Sequence, residues 1–462
     1  MSRGFGSAPR VVGWLVALLV LAVLAACGSG SGNNASTTAA TESVLHFFAG
    51  GASDGQSPGP ELVRDGSGNL YGTTFGGGPN NAGMIFKIGS TGKYSVVRFF
   101  AGGASDGAGP SGLVLDSAGN LYGATQNGGS NNVGTVFKID STGTYRVLHA
   151  FAGGSSDGAG PGGLVFDSAG NLYGLTANGG LGPTSLPPGA PPGAVPGYGT
   201  VFRIDPAANY SVVHFFAGGS SDGVGPVGLA VDGAGNVYGA TSDGGPTNGG
   251  IVFKIDATAS YSVVHFFAGG TSDGAEPSDL VFDSAGNLYG STILGGPNEN
   301  GTIFKIDTAG SYSVAHFFAG GETDGAMPYT LIADTAGGLY GATYVGGLYG
   351  LGVIFKIGPT GSYGVVHVFA GGSSDGGAPF GRLTLDSAGN LYGVTGSGGS
   401  NNVGTVFRID KTGTESILHF FVGGTNDGSD PTGGPVLDGA GHFCGTTFLG
   451  GAKGFGTVYR IC

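Results

Sequence analysis

The sequence predicts an all-β fold, an eight-bladed β-propeller of four-stranded antiparallel blades. An Asp-Gly motif preceded by Ser, Thr or Asn recurs at Asp54, Asp106, Asp157, Asp222, Asp273, Asp324, Asp375 and Asp427. Its steps are 52, 51, 65, 51, 51, 51 and 52 residues, a period that marks a closed repeat array. Between the motifs stand short segments rich in Val, Ile, Phe, Tyr and Thr, as pleated, half-buried strands require. The chain also opens on one unpaired strand and ends on another, so its two ends complete a single blade.

The second repeat shows each element. Residues 113–116 (Leu-Val-Leu-Asp) read as strand A. Ser117-Ala118-Gly119 turns the chain, and residues 120–125 return as strand B. Gly holds the Gly119 position in all eight repeats, as a hairpin turn with positive φ demands. Asp opens that turn every time, and its carboxylate can accept the turn's N–H groups. Strand C, residues 134–139, alternates Val136 and Lys138 on one face with Phe137 and Ile139 on the other. A second Gly-containing turn, residues 140–143, leads into strand D, residues 145–151. A lone D strand, residues 44–48, begins the array, and a lone C strand, residues 456–462, ends it. The N-terminal strand joining the last blade closes the ring and leaves no long unpaired edge.

Composition agrees. The 103 Gly and 22 Pro sit at fixed offsets and serve turns, where without a period they would signal low complexity. A formal charge of −13 argues against nucleic acid as a partner, because that surface needs clustered Lys and Arg.

Residues 1–26 read as an export signal. Arg3 and Arg10 flank an apolar run, residues 11–26, that is short for a spanning helix. The run ends in Leu24-Ala25-Ala26-Cys27, which resembles the lipobox of bacterial lipoproteins. That resemblance implies cleavage before Cys27 and acylation of its sulfur, which would hold a soluble domain at a membrane. The alternative is an ordinary signal peptide followed by a stray Cys. Residues 27–43 then form the lipid-anchor Cys and a flexible tether, and residues 44–462 the propeller. The expected protein is a monomer of the bacterial envelope, on the outer membrane or cell surface, touching lipid only through its anchor. Cys444 and Cys462 lie in the last repeat and are a disulfide candidate, with two free thiols as the alternative.

The repeat Leu-Tyr-Gly-Ala-Thr…Gly-Gly…Gly-Thr-Val-Phe-Lys-Ile-Asp…Tyr…Val-Leu-His…Phe-Ala-Gly-Gly…Asp-Gly-Ala…Pro resembles the Gloeo/Verruco (GloVer) tandem repeat of choice-of-anchor bacterial surface proteins. The resemblance covers about residues 44–462. It implies an exported, anchored, propeller-like protein and assigns no reaction.

In this strand order the A–B and C–D turns share one face and are tight. The D–A and B–C connections share the other and are long, so a binding site is expected there. The eight D–A aspartates named above stand on one rim. They are candidates for Ca²⁺, which takes carboxylate oxygens, although a local Asp-Gly turn accounts for the same residues. No cofactor is otherwise required. Phe75, Tyr344, Tyr349, Phe448 and Phe455 replace polar residues in B–C loops of repeats one, six and eight. Exposed aromatics can stack on sugars or anchor a protein partner. The third repeat holds 22 residues between Thr176 and Gly199, against eight between Thr125 and Gly134. This Pro-rich insertion covers part of the rim or is simply tolerated.

Seven histidines, His46, His149, His214, His265, His316, His367 and His419, share one strand-D position, with Arg98 in the remaining repeat. Neighbouring blades hold such side chains apart, and Arg98 suggests a wet, outward-facing site. No Ser–His–Asp set or phosphate loop stands apart from the repeat. Glu61, Glu276, Glu299 and Glu322 depart from it, without a role that their spacing assigns. The expected function is a lipid-anchored binding scaffold for a glycan or an envelope protein. The rivals are an extracellular carbohydrate-active enzyme using acidic residues and a purely structural spacer.

Overall fold

A computed structural model describes residues 42–183 and 196–462. The signal segment, Cys27 and the Pro-rich stretch 186–192 lie outside the described residues. Eight antiparallel sheets stand in a ring. Blade 2 sets the pattern with strand A at Gly107–Leu115, B at Leu121–Gly128, C at Thr135–Ile139 and D at Tyr145–Ala150, paired in that order. Blades 3 to 7 repeat it over residues 158–215, 223–266, 274–317, 325–368 and 376–420. Blade 1 spans 55–99. Blade 8 combines 428–461 with the N-terminal strand Glu42–Phe47, which pairs with Thr457–Ile461 as its D strand. The ring therefore closes as expected, although that strand begins at Glu42, inside the stretch expected as tether.

Strand A is longer than its apolar run suggests. It starts at Gly107, directly after Asp106, and passes through Pro110, which sits opposite Thr125. The A strands of neighbouring blades touch around the ring axis, so A is the inner edge of each sheet. An edge strand uses its N–H groups on one side only, which is why Pro is tolerated there. Strand B likewise runs on to Gly128. Much of what reads as long loop on the D–A/B–C face is therefore strand.

The core is distributed over the ring as blade-to-blade interfaces. Between blades 1 and 2, Ile85 and Phe100 pack against Leu113, Leu121, Phe137 and Ile139. Strand C is buried on both faces, with Val136 and Phe137 fully covered, because each sheet is sandwiched between two others. Strand B carries a Gly opposite that aromatic for want of space. A Cβ on Gly123 would lie 2.4 Å from Phe137 Cζ. The A–B turn behaves as its Asp predicts: Asp116 Oδ1 accepts the N–H groups of Ala118 and Asn120, both at 2.9 Å.

Strand D carries a feature that alternation does not announce. Its pairing with C slips by one residue in every blade, as between Val147 and His149. Tyr145 and His149 would share a face in a regular strand. The bulge reverses the later residues, so Tyr145 reaches back to Asp106 at the preceding junction and His149 forward to Asp157 at the next.

These side chains latch the blades. At the junction of blades 3 and 4, Asp222 accepts the N–H groups of Ala217 and Gly223, both at 2.8 Å. It also bonds His214 Nε2 at 2.9 Å and accepts the hydroxyl of Tyr261, from the far blade, at 2.8 Å. The imidazole stacks on that Tyr ring, centroids 3.5 Å apart. Burial opposes ionisation of Asp222, but the His214, Ala217, Tyr261 and Gly223 donors outweigh it and hold the carboxyl below its ordinary value.

Asp222→Asn removes the charge that gathers these donors and is expected to cost about 1–3 kcal/mol, read as a lowered unfolding midpoint in denaturant. A carboxyl depressed on folding stabilises fully above its unfolded pKa, about 3.9, and loses that contribution as pH falls through the folded value. Native stability should therefore hold near neutrality and drop in acid below that range, with a smaller acid-dependent drop in the Asn variant. Gly239→Ala places a Cβ 2.2 Å from Phe253 Cζ and is expected to destabilise by about 1–3 kcal/mol in the same assay.

Candidate functional site

The eight D–A aspartates are junction residues, buried one to an interface. They do not form an open rim of carboxylates, and their partners explain why. Asp54, Asp157, Asp222, Asp273 and Asp324 each hold a His from one blade and a Tyr from the next. At Asp106 the same role falls to Arg98, whose guanidinium lies 3.5 Å over the Tyr145 ring. The histidines are thus half-buried partners of the aspartates, not wet outward-facing groups. Arg98 fits because a guanidinium stacks and donates as an imidazole does.

Two junctions differ. Where the others place Tyr, blade 7 places Glu415 and blade 8 places Glu42. His367, Asp375 and Glu415 form one group and His419, Asp427 and Glu42 another, with their nearest polar atoms within 4.8 Å of one another. Burial foremost pushes Glu42 and Glu415 up to about 7, the neighbouring His opposing it and the neighbouring Asp adding to it. Among the described residues, Asp375 and Asp427 are the members of the eight that fall into such a group.

The aromatic candidates separate into two places. Phe75, Phe448 and Phe455 belong to blades 1 and 8, and Tyr344 and Tyr349 to blade 6. Phe75, Tyr344 and Tyr349 are 55%, 47% and 58% exposed, whereas Phe448 and Phe455 are half-buried. Phe455 packs on the junction of blades 8 and 1. Blade 6 carries more than its tyrosines. Of nine exposed large apolar side chains among the described residues, five belong to it: Met327, Tyr329, Tyr344, Leu348 and Tyr349. Met327 lies on strand A and Tyr344 on strand B of this blade, and the N–H of Met327 bonds Asn300 O of blade 5 at 2.9 Å.

A third feature lies at the ring axis. Strand A of blade 1 breaks into Gly55–Pro58 and Val63–Arg64, and that of blade 8 into Gly428–Pro431 and Val436–Leu437. In blade 7 strand A slips register between Phe380 and Thr384. Each carries one more residue between its Pro and the A–B turn Asp than blade 2 does. Three charged residues, Glu61, Arg64 and Arg382, stand in these lengthened segments, and Arg64 Nη1 donates to Asp438 O at 3.0 Å. From blades 5 and 6 come Asp279 and Tyr329, and Tyr329 stacks on Phe380 at 5.5 Å. Asp279 accepts the N–H groups of Leu280 at 2.9 Å and Leu331 at 2.8 Å. Burial still pushes it up to about 6, against the pull of those bonds and of Arg382. Asp279, Tyr329 and Arg382 escaped sequence reasoning; their signal is departure from the repeat together with the 52-residue steps.

Cys444 and Cys462 are separate thiols, the first buried in strand B of blade 8 and the second exposed. Burial pushes the Cys444 thiol up to about 12. Of the two alternatives, the candidate disulfide is not formed and two thiols stand, while sheet pairing with Thr457–Ile461 holds that strand.

No curated protein matches the sequence. Among solved structures, a puromycin hydrolase is 12% identical over 85% of this chain and 58% of its own, with a TM-score of 0.50. A puromycin-hydrolyzing peptidase of Mycobacterium tuberculosis is 11% identical over 85% of this chain and 58% of its own, TM-score 0.49. A gluconolactonase of Xanthomonas campestris is 13% identical over 71% and 89%, TM-score 0.36. At such identities the likeness concerns the fold alone. The repeat itself is more specific: the family model of the Gloeobacter/Verrucomicrobia repeat matches residues 26–186 and 190–402. Built from eight copies of one latched blade, the chain belongs to the Gloeobacter/Verrucomicrobia repeat family.

Proposed function

We propose that the protein is an exported, lipid-anchored binding scaffold of the bacterial envelope whose ligand is a polysaccharide or another envelope protein. The concentration of exposed Met327, Tyr329, Tyr344, Leu348 and Tyr349 on blade 6 carries this reading. Large apolar side chains gathered on one part of a rigid ring mark an interaction surface, and tyrosine rings stack on sugar faces while their hydroxyls stay wet. The apolar run before Cys27 supports export and anchoring.

Asp279 and Glu61 favour a second reading, an extracellular carbohydrate-active enzyme. Near the axis they supply two carboxyl groups, one of them held at about 6, where an acid can give up a proton near neutrality.

Affinity electrophoresis through gels that each contain one bacterial or plant polysaccharide tests the first reading. Retardation by one polymer is expected, weakened at least tenfold in apparent affinity by Tyr344→Ala with Tyr349→Ala. No retardation by any polymer removes the glycan and leaves a protein partner. Reducing-sugar release from the same polymers tests the second: hydrolysis lost in Asp279→Asn supports it, and no release by the native protein ends it.

A further inference from the structure

We propose that the two glutamate-bearing junctions are binding sites for a divalent metal ion of the zinc class, one held by His419, Asp427 and Glu42 and the other by His367, Asp375 and Glu415. An imidazole with two carboxylates suits Zn²⁺, Mn²⁺ or Co²⁺ better than Ca²⁺, which prefers an all-oxygen shell. With the imidazole neutral, the two carboxylates match the charge of the ion.

The sister junctions act as internal controls. There the His or Arg nitrogen lies 2.8–3.1 Å from its Asp, at hydrogen-bond distance. In the two exceptions the separation opens to 3.3 Å for His419–Asp427, where a long hydrogen bond remains, and to 3.6 Å for His367–Asp375, where none does. Ligands on a tetrahedral ion with bonds of about 2.0–2.1 Å stand about 3.4 Å apart.

The donor balance points the same way. In the sister junctions a Tyr hydroxyl donates a hydrogen bond to the Asp. Here a second carboxyl faces it, and Glu42 Oε1, Glu415 Oε1 and His367 Nε2 are shut off from solvent without a hydrogen-bond partner among the described residues. Such oxygens are costly to bury, and a cation satisfies them. The aspartates are already oriented by backbone donors, Val422 and Gly428 for Asp427 and Ala370 and Gly376 for Asp375. Fixed outer partners of this kind keep a ligand set in place.

The full chain, purified in detergent without a His tag, is loaded with Zn²⁺, dialysed against metal-free buffer and assayed for retained zinc by mass spectrometry. Two zinc ions per chain are expected. Glu42→Tyr and Glu415→Tyr, each restoring the residue of the sister junctions and so compatible with the fold, should lower this to one, and the double variant to none. The proposal fails if the native chain retains no zinc, or if the double variant retains as much as the native chain.

Discussion

Each blade of this ring depends on a carboxylate it does not fully own. At five of the eight junctions the aspartate is fixed by backbone N–H groups of its own loop, receives an imidazole from the strand just before it and a hydroxyl from the blade beyond, as Asp222 does. A buried carboxylate is unfavourable until enough donors surround it, and here they come from two blades at once. Packing supplies most of the attraction between neighbouring sheets, but apolar contact alone is indifferent to small sliding. The latch sets the register in which one sheet meets the next, and repetition around the ring turns a local geometry into a closure angle.

The architecture was legible because it is periodic. The Asp-Gly steps, the turn glycines and the complementary unpaired strands at the two ends led to eight blades and to the partner that closes them. What escaped was set by position in three dimensions. The strand-D bulge reverses the side-chain alternation between Tyr145 and His149, so reading by parity separates an imidazole from the tyrosine across its junction. Pro110 reads as a loop residue, yet the inner edge of a sheet accepts it. Partnership between His46 and Asp54 was hidden because the seven intervening residues leave one blade and enter the next.

The candidate sites were legible only as breaks in that period. Phe75, Tyr344 and Tyr349 stood out as aromatics in polar places and are exposed, whereas Phe455 proved to be part of a packed junction. Asp279 is one carboxyl among many in the sequence. It becomes distinctive only when a ring brings blades 5, 6 and 7 to a common axis. The extra residue in the inner strands of blades 7, 8 and 1 concentrates one irregularity in a single sector, beside the apolar side chains of blade 6 and the glutamates at two junctions.

Pairing of Glu42–Phe47 with Thr457–Ile461 has a consequence in time. Synthesis makes Glu42–Phe47 before every other described strand of the ring and Thr457–Ile461 after all of them. Through all of that interval the strand must stay unpaired, while each completed sheet can already lean on the one before it. Among the described strands, closure is the pairing of greatest sequence separation and so carries the largest loop-closure entropy. Until Thr457–Ile461 is available, the nascent ring is a string of petals with one loose thread.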